Sequence, residues 1–239
     1  MHALVAAGAD LLELGVPFSD PMADGPTIQA ACERALAHHV SLHDVLEMVR
    51  EFRQQDAATP VALMGYLNPI EVMGYREFAT AAQAAGVDGV LTVDLPPEEG
   101  HDLVGALRDH QVDTIFLAAP TSSDRRIQQM SEIGGGFLYY VSFKGVTGAA
   151  LLDVQAVKDK LVQIRAHTHL PVGVGFGIRD AEAAARIGEF ADAVVVGSAL
   201  VSRIAALADT PEEVPVKAPQ IIAEMRAAMD AKQSIASTN

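Results

Sequence analysis

Two kinds of segment alternate along this chain, and that alternation constrains its fold more than any other feature. Short, mostly apolar runs fall at residues 11–14, 61–64, 89–93, 114–118, 137–141, 171–175 and 193–196. Each is bounded by Gly, Pro or Asp, the pattern of a parallel strand buried on both faces. Between them lie stretches with helical spacing: 27–54 with a break near Ser41, then 75–85, 98–110, 123–133, 153–166, 181–187 and 198–207. A last stretch, 218–232, follows a Pro-containing spacer. Strand then helix, repeated without a linker, means βαβ units and predicts a single domain over residues 1–239. An open doubly wound sheet and a closed barrel both fit this pattern. Unusual residues follow strand after strand, where a barrel carries its functional loops; an open sheet would gather them at one switch point. The expected fold class is therefore α/β, a (β/α)8 TIM barrel. Only seven runs are found, however, and the chain opens inside what reads as the end of a helix, residues 2–8. The expected barrel thus lacks its first strand and most of its first helix.

The 239 residues include 17 basic and 31 acidic side chains, a formal charge of −14, and half are apolar. That composition supplies a sizeable core and excludes general disorder. An acidic excess argues against a nucleic-acid binder and against a polybasic membrane anchor. No run of about 18 apolar residues is present, and Met1-His2-Ala3-Leu4 lacks the basic start of a signal peptide. Cys32 is the single cysteine, so neither an internal disulfide nor a multi-cysteine zinc site is expected. The eight histidines show no ligand spacing, and no metal is expected. A soluble cytoplasmic protein follows as the expectation.

Glu13 stands out, because a carboxylate in a strand buried on both faces is costly unless it is paired or poised for chemistry. Burial would raise its pKa toward neutrality, which suits a general acid; a structural carboxylate with a buried partner is the other reading. The stretch 15–26 is long and Pro-rich for a loop between strand and helix, as binding loops often are. Within it, Asp24 could cap the helix that opens near Pro26 or take part in catalysis. Asp20 could be a turn former before Pro21. Gly175-Phe176-Gly177 and Gly197-Ser198 follow the last two runs, each just before a helical pattern. Backbone N–H groups left uncovered there can bind phosphate without a basic side chain, although a Gly-x-Gly can equally be a tight turn. Gly145-Val146-Thr147-Gly148 adds a third glycine loop. Tyr66 and Tyr139 sit at strand ends and could line a pocket or simply pack. Cys32 reads as helix packing, and His38 and His39 as solvated or capping residues.

The stretch Leu12-Glu13-Leu14-Gly15-Val16-Pro17-Phe18-Ser19-Asp20-Pro21-Met22-Ala23-Asp24-Gly25-Pro26-Thr27-Ile28-Gln29 closely resembles the signature of the tryptophan synthase alpha chain family. The likeness continues through Gly65-Tyr66-Leu67-Asn68-Pro69, Asp94-Leu95-Pro96-Pro97-Glu98-Glu99, Tyr140-Val141-Ser142, Gly145-Val146-Thr147-Gly148, Gly175-Phe176-Gly177-Ile178 and Val196-Gly197-Ser198-Ala199, and covers about residues 4–228. This resemblance implies a (β/α)8 barrel that cleaves indole-3-glycerol phosphate to indole and glyceraldehyde 3-phosphate. It implies that Glu13 and Asp24 are the catalytic pair. It gives substrate contacts to Tyr66, Tyr139, Thr147, Gly148, Gly175, Gly177, Gly197 and Ser198. Loops 17–24 and 143–148 match the family's two mobile loops, and Pro17 and Asp20 match positions facing the beta partner of an alpha2beta2 heterotetramer. No cofactor is implied for this chain; pyridoxal phosphate is expected in the beta chain. Family members carry a strand and most of a helix ahead of what is here His2, so a misassigned start or a shortened chain is expected.

Two competing functions have distinct signatures. A sugar-phosphate isomerase or epimerase on the same barrel would place a catalytic lysine or histidine at a strand end, and none of the seven runs offers one. A shortened, inactive chain that only binds or activates the beta subunit is the other alternative.

Overall fold

The computed structural model of the chain describes residues 1–142, 153–175 and 177–236, with side chains through residue 232. Helix α1 (His2–Ala6) leads into strand β1 (Leu12–Gly15), followed by α2 (Pro26–Ala37) and α3 (Leu42–Arg53). Next come β2 (Val61–Gly65), α4 (Leu67–Met73), α5 (Tyr75–Ala85), β3 (Gly89–Thr92), α6 (His101–Asp109) and β4 (Asp113–Ile115). Then follow β5 (Leu117–Ala118), α7 (Asp124–Ile133), β6 (Leu138–Val141), α8 (Val154–Arg165), β7 (Val172–Gly175) and α9 (Ala181–Gly188). The chain continues through β8 (Ala193–Val195), α10 (Ser198–Ala205), a 3-10 turn (Pro211–Glu213), α11 (Val214–Lys217) and α12 (Gln220–Ala236).

Local sequence accounts for most of these boundaries. The break near Ser41 is a capping box: Ser41 Oγ accepts the Asp44 N–H at 3.4 Å while Asp44 Oδ2 accepts the Ser41 N–H at 2.8 Å. Behind that cap α3 buries Leu42, Val45, Leu46, Val49 and Phe52, one face at three- and four-residue spacing. Asp153 and Asp180 cap α8 and α9 in the same way, accepting the N–H groups of Ala156 and Ala183. Helix α5 ends at Gly86, whose φ of +87° is the left-handed conformation a helix stop needs. Helix α4 carries no expectation from the apolar pattern; it starts directly after β2, and its first N–H, on Leu67, is taken by Asp94 Oδ1 at 2.8 Å.

The residues gather into two compact units, Met1–Val5 with Asp10–Phe116 and Glu132–Gly136, and Ala6–Ala9 with Leu117–Ser131 and the described residues from 137 onward. Each unit holds a parallel four-stranded sheet, β1-β2-β3-β4 in the first and β5-β6-β7-β8 in the second. The run expected as one strand at 114–118 contributes to both sheets. Residues 113–115 pair with β3 and 117–118 pair with β6, with Phe116 between them. Seven apolar runs therefore yield eight strands. Among the described residues β1 and β8 each have one ladder neighbour.

The same clamp occurs once in each unit. In the first, Arg53 at the end of α3 donates through Nη2 to Asp88 Oδ2 at 2.6 Å. That same oxygen accepts the Val61 N–H at the start of β2 at 2.7 Å, and the Asp88 N–H donates to Val61 O. In the second, Arg165 at the end of α8 donates to Asp192 Oδ2 at 2.9 Å, that oxygen accepts the Val172 N–H at 2.8 Å, and the Asp192 N–H donates to Val172 O. One aspartate thus ties a helix end to the starts of two adjacent strands, β2 and β3 in one unit, β7 and β8 in the other. Arg53 is the more committed cation: it also donates to the carbonyls of Gly86, Asp56 and Thr59.

Candidate active site

Strand register decides what surrounds Glu13. It pairs with Ala62 of β2, which pairs with Gly89 of β3. Paired positions share a face of the sheet, so Glu13 stands directly beside the small side chain of Ala62, with Gly89 one strand further along that face. Glu13 Oε1 is fully buried and has no hydrogen-bond partner among the described residues. Burial pushes its carboxyl up to about 7 from an ordinary value near 4.5. The reading of Glu13 as a paired structural carboxylate finds no partner for that oxygen among the described residues. An acid that is half protonated near neutrality, with a buried oxygen free of any partner among the described residues, can donate a proton to a bound molecule.

Residues 16–25 form the loop between β1 and α2, and Asp24 lies near its end. Asp24 does not cap α2: the N-cap is Gly25, with no side-chain cap. Its Oδ2 accepts instead from the Tyr66 hydroxyl at 2.9 Å, one residue beyond β2. That hydroxyl also accepts the Ala23 N–H at 3.0 Å, and the Phe18 and Tyr66 rings lie 5.2 Å apart. Partial burial raises the Asp24 carboxyl, and the Tyr66 hydrogen bond acts against it. Burial and the Asp24 hydrogen bond together push the Tyr66 phenol upward, so it remains a donor. Gln29, in the first turn of α2, was not singled out by its sequence context. Its Nε2 donates to the carbonyls of Asp24 at 2.8 Å and Pro21 at 3.4 Å. Asp20 is exposed; its carboxylate accepts from Ser19 Oγ and its carbonyl accepts the Met22 N–H, so it does shape the turn. Pro17 lies in the same loop, half-buried. Elsewhere on α2, His38 is the C-cap and Cys32 is half-buried.

In the second unit, Tyr139 of β6 lies across β7. A Cβ built on Gly175 would sit 2.0 Å from the Tyr139 hydroxyl, and one on Gly173 would sit 3.1 Å from the Phe137 ring. The two glycines of Val172-Gly173-Val174-Gly175 therefore clear a trough for two aromatic rings on one face. Gly175→Ala should force Tyr139 aside and cost about 2 kcal/mol, the usual scale of overpacking, read as a lower urea midpoint with an altered near-UV tyrosine signal. Gly177 has φ +82°, a conformation that favours glycine. Gly197 is the N-cap of α10, carries no capping side chain, and a Cβ there would meet nothing within 4 Å. It and Ser198 are exposed, so the unpaired N–H groups of the first turn are open to an anion. Thr147 and Gly148, like Phe176, lie outside the described residues.

No group of three or more His, Cys, Asp or Glu suited to a metal occurs among the described residues. No helix there is long and apolar enough to cross a membrane.

The model of the tryptophan synthase alpha chain family matches residues 1–230. The chain belongs to that family. It is 68% identical over 230 residues to the tryptophan synthase alpha chain of Thioalkalivibrio sulfidiphilus, covering 96% of this chain and 86% of the relative. Identity to the Nitrosococcus oceani alpha chain is 61% over 235 residues, covering 98% and 87%. The solved alpha subunit from Legionella pneumophila str. Paris is 45% identical with a TM-score of 0.89, covering 97% of this chain and 86% of that one. The tryptophan synthase a2b2 complex of Pyrococcus furiosus contains a chain 37% identical, with a TM-score of 0.85 over 94% of this chain and 89% of that one. The fold class is accordingly α/β of the (β/α)8 TIM-barrel type. As a member of the family the chain is a lyase of tryptophan biosynthesis, cleaving indole-3-glycerol phosphate to indole and glyceraldehyde 3-phosphate in a retro-aldol reaction. Nothing in these likenesses supports the inactive alternative.

Proposed function

We propose that Glu13 is the general acid of this cleavage and Asp24 the group that stabilises the charge it creates. The reaction must turn an electron-rich indole into a leaving group. Protonation of ring carbon C3 does so and places positive charge on the ring nitrogen. Glu13 supplies that proton, and the Asp24 carboxylate accepts a hydrogen bond from the ring N–H as the charge develops. Loss of the proton from the glycerol hydroxyl next to C3 then forms the aldehyde, while the carbon–carbon bond electrons return to the ring. Glu13, ionised once it has donated, is a candidate for that base. As the family resemblance implies, the phosphate contacts are assigned to Gly177, Gly197 and Ser198, together with Thr147 and Gly148, and the other substrate contacts to Tyr66, Tyr139 and Gly175.

The observation that carries this reading is the unpartnered, buried carboxyl oxygen of Glu13. A pH profile tests it. Because the acid acts in its protonated form, kcat/KM for indole release should be level on the acid side of about pH 7, as far down as Asp24 stays ionised, and fall about tenfold per unit above it. A profile that is flat from pH 6 to 9 would remove Glu13 from the acid's role.

The same proposal extends to the assembly. The chain acts as one domain over residues 1–239, in the cytoplasm, without a cofactor of its own. Its partner is a beta chain carrying pyridoxal phosphate, in an alpha2beta2 heterotetramer like that of the Pyrococcus furiosus relative, with Pro17 and Asp20 on the facing loop. Light scattering of the chain mixed with its beta subunit should give the mass of four subunits; a monomer under all conditions would contradict it.

A further inference from the structure

Packing alone does not hold Asp24 in place. Its loop stands off α2 over a cavity of about 310 Å³, walled by Phe18, Pro21 and Met22 on one side and Gln29, Cys32 and Leu36 on the other. Met22 at the tip is 88% exposed. A loop so poorly buried would sample many positions unless specific bonds fixed it. The bonds that reach its catalytic end come from two elements. Tyr66, 4% exposed and anchored beyond β2, grips Ala23 and Asp24 with one hydroxyl. Gln29 bridges the carbonyls of Pro21 and Asp24 from α2. Tyr66 is itself set by Asp94, whose carboxylate accepts the N–H of the next residue, Leu67. The Tyr66 hydroxyl donates once and accepts once in these two bonds, so its hydrogen is already committed.

We propose that Tyr66 and Gln29 are positioning residues for Asp24: the Tyr66 hydroxyl, apart from what its ring adds to the pocket wall, and the Gln29 amide act on the reaction through the place they give the Asp24 carboxylate. This rests on the role proposed for Asp24 above. A carboxylate must sit within a few tenths of an ångström of a developing charge, and a displacement near 1 Å can cost about 100-fold in rate. The two residues hold different parts of the segment: Tyr66 fixes the side chain, Gln29 the backbone turn behind it.

The test measures indole release in single turnovers with enzyme in excess, so that slow variants stay readable, for Tyr66→Phe and Gln29→Met alone and in an Asp24→Asn background. Circular dichroism establishes that each is folded, and because the two residues stand on separate elements, either suffices if the other fails to fold. The expected result is a saturating rate lowered by about 10- to 100-fold with half-saturation changed by less than about threefold, and no further loss when Asp24 is already Asn. If Asp24→Asn lowers the rate about 100-fold while the folded Tyr66 and Gln29 variants stay within about threefold of the parent, the positioning role is wrong and Asp24 keeps its place. A loss of equal size in both backgrounds, or a loss confined to half-saturation, would also overturn it. Full activity in Asp24→Asn alone would instead overturn the reading beneath.

Discussion

Glu13→Gln should lower the rate of indole release by about 10²–10⁴-fold while making the protein more stable at neutral pH. Both effects come from the same carboxyl. Glutamine keeps the shape of the protonated acid but has no proton to give, so the chemical step fails. In the unliganded parent, folding places an acid of ordinary value near 4.5 where it titrates at about 7. The folded state therefore holds a proton that the unfolded state has released, and stability falls as pH rises between those two values. Below about 4.5 there is no cost; above about 7 it is complete and amounts to about 3 kcal/mol. Urea denaturation of parent and variant should thus give similar midpoints near pH 4.5 and a more stable variant at pH 8. Equal stability at both pH values, together with undiminished activity, would contradict a proton held by burial. The trade is typical of a catalytic group kept in an environment hostile to its charged form.

A second large effect should separate the two arginine clamps. Arg53→Met removes the partner of Asp88 and leaves three carbonyls, those of Gly86, Asp56 and Thr59, without their donor. The Arg53 side chain is only 17% exposed, so water replaces those bonds poorly, and about 3 kcal/mol should be lost. Arg165→Met removes one bond from a side chain 41% exposed and should cost about 1 kcal/mol or less. Asp192 remains useful there because its carboxyl, though burial works against it, is held below its ordinary value by the Val172 N–H and Arg165. Its contribution is present above the unfolded value and fades as pH falls through the folded one. Chemical denaturation of both variants measures the difference; equal losses would show that the three extra carbonyl contacts of Arg53 contribute nothing.

These cases also mark what a linear reading of the residues can reach. Glu13 was legible because a lone acid inside an apolar run is costly wherever the run folds. The helix break at Ser41 was legible because a capping box is local. Asp24 was ambiguous, since an acid before Gly-Pro has two ordinary uses, and the deciding partner, Tyr66, lies 42 residues away. Gln29 stood inside the family signature but with nothing to mark its role: its work is done through backbone carbonyls of a loop whose shape is not local. Neither arginine clamp could be read, because each joins residues 27 to 35 positions apart. Residues 114–118 looked like one strand and behave as two because their halves pair with different neighbours. Gly175 looked like a phosphate-loop glycine, and its surroundings give it a second duty, clearing room for Tyr139.

The direct measurement is the titration of Glu13 itself, by carbon-13 NMR of selectively labelled glutamate carboxyls, with Glu13→Gln identifying the signal. A midpoint near 7, well apart from the other glutamates, is the result predicted for a buried proton donor. A midpoint near 4.5 would mean that the carboxyl is solvated and ionised in the resting protein, and that the proton reaching the indole ring comes from elsewhere.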